Sequence, residues 1–450
     1  MKKLLILLMA VLAMTASASA EETALWPACD EETGLWGYIR EDGSWGIAPQ
    51  YGRAYHFHGG CAIVDTQDVP DWAGECTQGI IDETGAYLLE PVYDIDDACC
   101  YDGAGLLYLV NRWDGDRQSG WFNIPNRYFS GPHWTECYAT QDTPCVLVND
   151  DYGISGLADR ATGELVLPMA YTYTGLYDWA IEDGYVVAKR DEGPCELVKL
   201  GMGPVTLPEG VEIDYGEGVS DGLLPFLDEN GLYGYLNTAG EIVIPAQYDC
   251  AYAFRDGYAE VGLLDEVGTH AVIDRQGQII LTGISSPWSY GYHGVVAGAL
   301  FVEWEDGDWG LVEMDGTIRC RHTLPEGASD VWLHESSAGG PIWVEYALAD
   351  DEYAYALLSR EGELGEPRWT WVSGGGEWLA VSEDGVGGWG CFEGTFGYVD
   401  AFGNEVLPAI YAWAEPFEGA LARVRFSDTE EGYINRDGDV IRRWTMPEEP

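Results

Sequence analysis

Short apolar strands and turn signals alternate along almost the whole chain. In Gly234-Tyr-Leu-Asn237 and Ala271-Val-Ile-Asp274 apolar residues fill a strand that ends in Asn or Asp, with Gly240 and Gly277 three residues later. The same spacing joins Asp82 to Gly85, Asp400 to Gly403 and Asn435 to Gly438. An Asx side chain accepts turn amides and the Gly takes the left-handed conformation, so each pair predicts a three-residue hairpin loop. The return strand, such as Glu241-Ile-Val-Ile244, then meets Pro245; Pro49, Pro91, Pro168 and Pro408 sit likewise. Proline donates nothing to a ladder, which places it at a strand's end or on an edge.

After each proline come an aromatic (Tyr51, Tyr93, Tyr171, Tyr248, Tyr411), a connector holding Phe57, Phe254 or Phe417, and a Gly turn. A strand of Ala-x-Val type follows, as in Ala62-Ile-Val64, Ala259-Glu-Val261 and Ala422-Arg-Val424. With the hairpin's Gly or its equivalent as marker, copies start at Gly37, Gly79, Gly120, Gly156, Cys195, Gly234, His270, Gly310, Tyr355, Gly397 and Gly432, at spacings from 35 to 45. Such an interval marks supersecondary repeats that stack or close into rings. Copies at Gly120, Cys195 and Tyr355 are degenerate.

If Cys250-Ala-Tyr-Ala-Phe254, Gly257-Tyr-Ala-Glu-Val261, Thr269-His-Ala-Val-Ile-Asp274 and Gln278-Ile-Ile-Leu281 are consecutive strands, one unit is a four-stranded antiparallel meander like a propeller blade. The fold class expected is all-β: tandem antiparallel β-meander repeats of about 40 residues, as propeller-like blades or an open β superhelix. No split blade joins the termini, so ten or so units leave one ring, two smaller propellers and a superhelix all open.

At Leu35-Trp-Gly-Tyr-Ile39, Asp308-Trp-Gly-Leu-Val312 and Thr395-Phe-Gly-Tyr-Val-Asp400, with the downstream Pro, Tyr, Phe and Ala-x-Val positions, the pattern resembles the bacterial WG-repeat family. The resemblance runs from Gly34 to Trp444. It implies an all-β repeat array, often in a secreted or surface setting, and it implies no catalytic residues to carry over.

The N-terminus changes the expected compartment. Met1-Lys2-Lys3, an apolar core from Leu4 to Met14 and Ala18-Ser19-Ala20 before Glu21 have the three parts of a signal peptide, with cleavage after Ala20. This divides the chain into a signal peptide (1–20), a lead (21–33), the repeat array (34–445) and a tail (446–450). The apolar core is shorter than the roughly 20 residues that span a bilayer, and no Cys stands at the cleavage site for a lipid anchor. Export to the periplasm or medium is expected.

With 22 Lys and Arg against 77 Asp and Glu the net charge is -55, which repels nucleic acid and anionic lipid and favours weak cation uptake. Hydrophobic residues at 46%, with 19 Trp and 28 Tyr, supply packed cores and exclude a disordered acidic chain. Eleven cysteines are an odd number for an exported chain, so at least one is free or pairs between molecules. The spacing allows local pairs Cys61–Cys76 and Cys137–Cys145, or buried thiols throughout.

Several stretches match chemical motifs, each with a folding role beside it. Gly218-Val-Ser220-Asp-Gly222 matches a nucleophile elbow, but that chemistry needs a helix after the Ser and Gly222 aligns with the repeat's turn Gly257. Gly385-Val-Gly387-Gly388-Trp-Gly390 matches G-x-G-x-x-G without opening a helix, and reads as a loop. His56-Phe-His58 would put two imidazoles on one strand face, a spacing a metal accepts, with no third ligand nearby. Acid clusters at Glu303-Trp-Glu305-Asp306-Gly307-Asp308, Asn149-Asp150-Asp151 and Asp94-Ile-Asp96-Asp97 offer oxygen ligands to weakly bound calcium or are solvated turns. Trp369-Thr-Trp371 would put both rings on one strand face, as a sugar platform does.

No catalytic, cofactor or metal residue is assigned. The leading expectation is a secreted, non-enzymatic scaffold that binds a protein or a cell-envelope glycan. The rivals are a carbohydrate-active enzyme on a propeller-like fold and a structural or cation-buffering surface protein. Function is expected where units depart from the repeat: Asp65 to Thr77, Asn111 to Arg117 and Trp369 to Gly376.

Overall fold

The computed structural model describes residues 24–66, 78–96, 107–114, 116–139, 144–174, 181–190, 193–213, 218–264, 269–284, 292–335, 340–349, 352–373, 377–388 and 391–446, and every named element in them is a strand. The strands form antiparallel meanders in chain order. A seven-stranded sheet is two meanders sharing the strand Tyr87–Asp96, and a two-stranded hairpin (Val386–Gly388 with Cys391–Glu393) is an insertion. Counted so, there are eleven units: 1 (residues 26–51), 2 (53–96), 3 (87–129), 4 (136–171), 5 (173–204), 6 (212–248), 7 (250–284), 8 (292–323), 9 (330–358), 10 (371–411) and 11 (413–445). Ten of the eleven repeat markers fall on the last strand but one of a meander, and Tyr355 falls on Tyr353–Leu358, the last strand of the three-stranded unit 9.

The turns form as their residues dictate. Asn237 Oδ1 accepts the amides of Ala239 and Glu241 at 3.0 and 2.9 Å, and the Gly240 amide closes on the Asn237 carbonyl. Gly240 has φ +80°, where a Cβ is strained. Asp82, Asp274, Asp400 and Asn435 make the same pair of bonds. Asn237→Ala removes these two hydrogen bonds and a third, from Nδ2 to Glu241 Oε2 at 3.0 Å, and is expected to cost about 1–2 kcal/mol; an unchanged unfolding midpoint would show the turn to be formed by Gly240 alone.

Proline does not end the return strand. Pro245 lies inside Ile242–Tyr248, and Pro49, Pro168 and Pro408 inside Trp45–Tyr51, Leu165–Tyr171 and Glu405–Tyr411. Each of these is the last strand of its sheet, so a side without a ladder is available to the ring. A register shift at this point bulges the strand: Tyr233 pairs with Tyr248, and Tyr235 with Ile244. The bulge explains the glycine of the Trp-Gly pair. A Cβ on Gly234 would lie 2.6 Å from the Ile244 carbonyl oxygen and 2.7 Å from the Ala246 nitrogen; Gly37 and Gly397 are equally crowded by their partner strands. The markers Cys195, His270 and Tyr355 fall one residue early, at the position of Tyr233, and where Glu196, Ala271 or Ala356 takes the glycine's place the fourth strand gives way. It shortens to Gly203–Pro204, opposite Val198 and Lys199; it kinks at Gly283 (φ +77°); or it is reduced to the single bridges Tyr355–Trp369 and Leu358–Leu364.

Buried strands are apolar on both faces because each sheet is sandwiched. In unit 2, Ile81 packs towards unit 1 and Ile80 towards unit 3; in unit 4, Val146 and Val148 face unit 3 while Cys145 and Leu147 face unit 5. Full burial of such a side chain contributes about 1.5–3 kcal/mol. The matched geometry of units 1, 6 and 10 fixes each to its successor. The Tyr38, Tyr235 and Tyr398 hydroxyls donate to the carbonyls of Tyr55, Tyr252 and Glu415 at 2.9, 2.8 and 2.8 Å. Their rings meet Phe57, Phe254 and Phe417 at 4.7, 4.8 and 4.9 Å between centroids. These aromatics sit in connectors: the strand expected through Phe254 stops at Ala251.

Apolar seams join every unit to the next, and one more joins unit 11 to unit 1. Trp26, Trp36 and Tyr38 share a core with Leu421, Tyr433 and Trp444, and Trp36 meets Trp444 edge-on at 6.1 Å. Trp26 Nε1 donates to the Glu418 carbonyl at 3.1 Å. The contacts therefore run in one closed cycle. Unit 1 has three strands and unit 11 all four, so among the described residues side chains close the ring and no strand is exchanged.

Candidate functional site

The motif matches are taken up by the fold. Ser220 Oγ donates to the Phe254 carbonyl of the next unit, and Asp221 and Gly222 (φ +53° and +70°) form the same two-residue turn as Asp256 and Gly257. Gly385 to Gly388 enter the inserted hairpin, where a loop was expected, and no helix follows; Trp389 and Gly390 lie outside the described residues. His56 is in a connector, not on a strand, and its Nδ1 lies 2.6 Å from Glu418 Oε2. Trp369 and Trp371 do not share a face. Trp369 is buried between units 9 and 10 against Trp343, centroids 4.8 Å apart, whereas Trp371 meets Phe396 edge-on at 5.2 Å beside the seam of units 10 and 11.

The acid clusters hold protein partners. Asp306 and Asp308 pair with Arg321, Glu303 stands 2.9 Å from His293, Asp150 caps a turn and Asp151 accepts the Thr135 hydroxyl at 2.6 Å. Asp94 lies on the shared strand of units 2 and 3, while the Asp96 side chain and Asp97 fall outside the described residues. Among the described residues no group of three His, Cys, Asp or Glu is arranged to hold a metal ion. Cys61, Cys137 and Cys145 are not disulfide-bonded, so neither local disulfide forms. Burial pushes Cys61 up to about 11 and Cys145 up to about 12, leaving unreactive thiols.

Three features lie outside these motifs. The first is polar substitution at the Trp position of the repeat. Ser119 Oγ donates to Asn111 Oδ1 at 2.6 Å, Ser155 Oγ to Asn149 Oδ1 at 2.8 Å, and His270 Nδ1 lies 2.9 Å from Glu260 Oε1. Each pairs with the neighbouring strand because a buried polar group without a partner is costly. In unit 11 this position is Glu431, which receives Arg423 at 2.6 Å and Trp444 Nε1 at 3.0 Å. Aligning the repeats at their glycine exposes this column.

The second is a cleft of about 380 Å³ beside the inserted hairpin of unit 10, lined by Arg368, Trp369, Glu383, Asp384, Tyr398 and Glu405 among others. Arg368 pairs with Glu383 at 2.7 Å. The Thr395 amide, at 2.8 Å, holds the Asp384 carboxyl below the usual range, the opposite of a proton donor.

The third is an apolar band. Two residues after the turn Gly, Tyr87, Leu165, Ile242, Ile279, Ile318 and Val440 pair with the last apolar residue of the preceding strand, so they are equivalent in units 2, 4, 6, 7, 8 and 11. All six are exposed, from 39% to 52%.

Eleven antiparallel meanders around shared apolar seams define an all-β repeat protein. Residues 36–67, 233–263 and 396–428 match the family model described as WG containing repeat, so these three segments are WG repeats, and they are where the Tyr–Phe geometry of units 1, 6 and 10 was found. Among solved structures the chain is similar to a eukaryotic initiation factor (9% identity, 95% of this chain and 96% of that one, TM-score 0.41). It is also similar to the dihydro-heme d1 dehydrogenase NirN in complex with DHE (14%, 71% and 75%, 0.37) and to BamB from Moraxella catarrhalis (12%, 60% and 80%, 0.29). No curated protein matches the chain. No helix among the described residues is long and apolar enough to cross a membrane.

Proposed function

We propose that this is an exported, non-enzymatic interaction scaffold that docks a partner on its apolar band. The observation that carries the reading is the recurrence of one exposed apolar position in six units, a repetition that seam packing does not require. Scattered exposed apolar residues are ordinary; periodic ones on a repeat array mark a binding surface. With a net charge of -55, the partner that fits presents apolar side chains among basic ones. The test is capture of cell-envelope components by the mature chain and by a variant carrying Ile242→Asp, Ile279→Asp and Ile318→Asp. Capture is expected to weaken by about tenfold or more, equivalent to 1.4 kcal/mol. Equal capture by both chains would overturn the reading.

The cleft beside the inserted hairpin favours a second reading, a glycan-binding site. Replacement of both acids, Glu383→Gln with Asp384→Asn, is expected to abolish retention on one polysaccharide of a panel. Retention unchanged by the substitutions, or absent in the parent chain, would remove that reading.

A further inference from the structure

The seam between units 11, 1 and 2 differs from the others in two ways. Ten seams join units that follow one another along the chain, whereas among the described residues units 11 and 1 are held by side chains alone. The closing seam also encloses titratable groups from several elements. His56, in the connector of unit 2, places Nδ1 2.6 Å from Glu418 Oε2 and Nε2 3.9 Å from Glu415 Oε2, both in the connector of unit 11. From the strands of unit 11, Arg423 and Glu431 pair at 2.6 Å, and the Tyr433 hydroxyl is buried without a hydrogen-bond partner. His58 adds a further charge near Glu418. From unit 1, Trp26 holds the Glu418 carbonyl and Trp36 lies under the Arg423 guanidinium, 5.6 Å from its ring centroid.

We propose that this seam is a pH-gated clasp, shut by the His56–Glu418 ion pair that bridges units 2 and 11 across unit 1, and loosened when either partner loses its charge. Burial disfavours the imidazolium, but the Glu418 hydrogen bond and the two carboxylates outweigh it and raise His56 above 6.5. That contribution is complete below 6.5 and is lost as pH rises through the raised value. Burial likewise acts to raise Glu418, yet His56 outweighs it and holds this carboxyl below 4.5. Its contribution is present above 4.5 and is lost as pH falls through the lowered value. Burial raises Glu415, so on the alkaline side this carboxylate adds repulsion as well. The clasp is therefore tightest between pH 4.5 and 6.5 and loosens in alkali.

Hydrogen exchange of the mature chain tests this, with protection factors corrected for intrinsic rates at about pH 5.5 and about pH 8.5. Strands Trp36–Ile39 and Leu421–Ser427 report on the closing seam, and Cys145–Asn149 with Tyr185–Lys189 on the seam of units 4 and 5 as internal reference. Closing-seam protection is expected to fall by about tenfold or more on the alkaline side, one pKa unit's worth of differential interaction, while the reference holds. His56→Gln gives low, pH-independent protection at the closing seam. Glu415→Gln, which removes repulsion without removing the pair, raises protection at the higher pH. Parallel change at both seams, a parental pH profile in His56→Gln, or no gain in Glu415→Gln would overturn the proposal.

Discussion

Gly234→Val is expected to lower stability by about 3 kcal/mol or more, the upper range for forcing atoms into a packed interior. The added carbons meet the Ile244 carbonyl oxygen, the Ala246 nitrogen and the Phe226 ring, at 2.6, 2.7 and 2.8 Å for the Cβ alone. Two of these are backbone atoms of a bulged strand, and neither can turn aside as a side chain can. Gly231→Asn is the contrasting substitution. Gly231 has φ +77° and open space around its Cβ position, so the change costs only the left-handed conformation, about 1 kcal/mol, which Asn tolerates better than most residues. Thermal unfolding of the two variants should separate them clearly; equal losses would show that the glycine of the Trp-Gly pair is selected by turn flexibility and not by close approach.

Trp444→Ala is expected to cost about 3–5 kcal/mol, the range for truncating a large buried aromatic. The side chain is 1% exposed, packs on Trp36 and Tyr433, and donates Nε1 to Glu431 at 3.0 Å. Its loss leaves a cavity in the closing seam and removes one hydrogen bond from a buried carboxylate. The ring should give at that seam first. Exchange protection of Trp36–Ile39 should drop while that of Tyr233–Asn237 in unit 6 persists. Uniform loss of protection around the ring would mean that the units unfold as one body.

Much of this architecture was legible because local chemistry decides it. The Asx–Gly turns, the four-stranded meander and the eleven markers all follow from residues that act on their immediate neighbours. Pro245 was read as a strand's end or an edge, and only the edge held, because the bulge opposite Gly234 lets the strand run on to Tyr248. Spacing failed where tertiary packing chose the side-chain direction. Trp369 and Trp371 alternate in sequence, yet Trp369 precedes the strand Trp371–Ser373 and turns into a different seam. Closure could not be read either, since it depends on residues such as Trp26 and Trp444 at opposite ends of the chain. The His56–Glu418 contact is hidden for the same reason: 362 residues separate its partners. The exposed band was present in the sequence as Ile242, Ile279 and Ile318, but an apolar residue in a strand is ordinarily assigned to a core.

The prolines of the fourth strands have a consequence for the protein in bulk. A ring made only of strands ends each meander in a row of backbone groups that a second molecule could extend into a fibre. Pro49, Pro168, Pro245 and Pro408 stand in four such rows, and bulges twist them out of register. Where proline is missing, in Ile318–Thr323 and Val440–Thr445, Arg319 with Arg321 and Arg442 with Arg443 take its place. These prolines, bulges and arginines oppose edge-to-edge pairing between molecules.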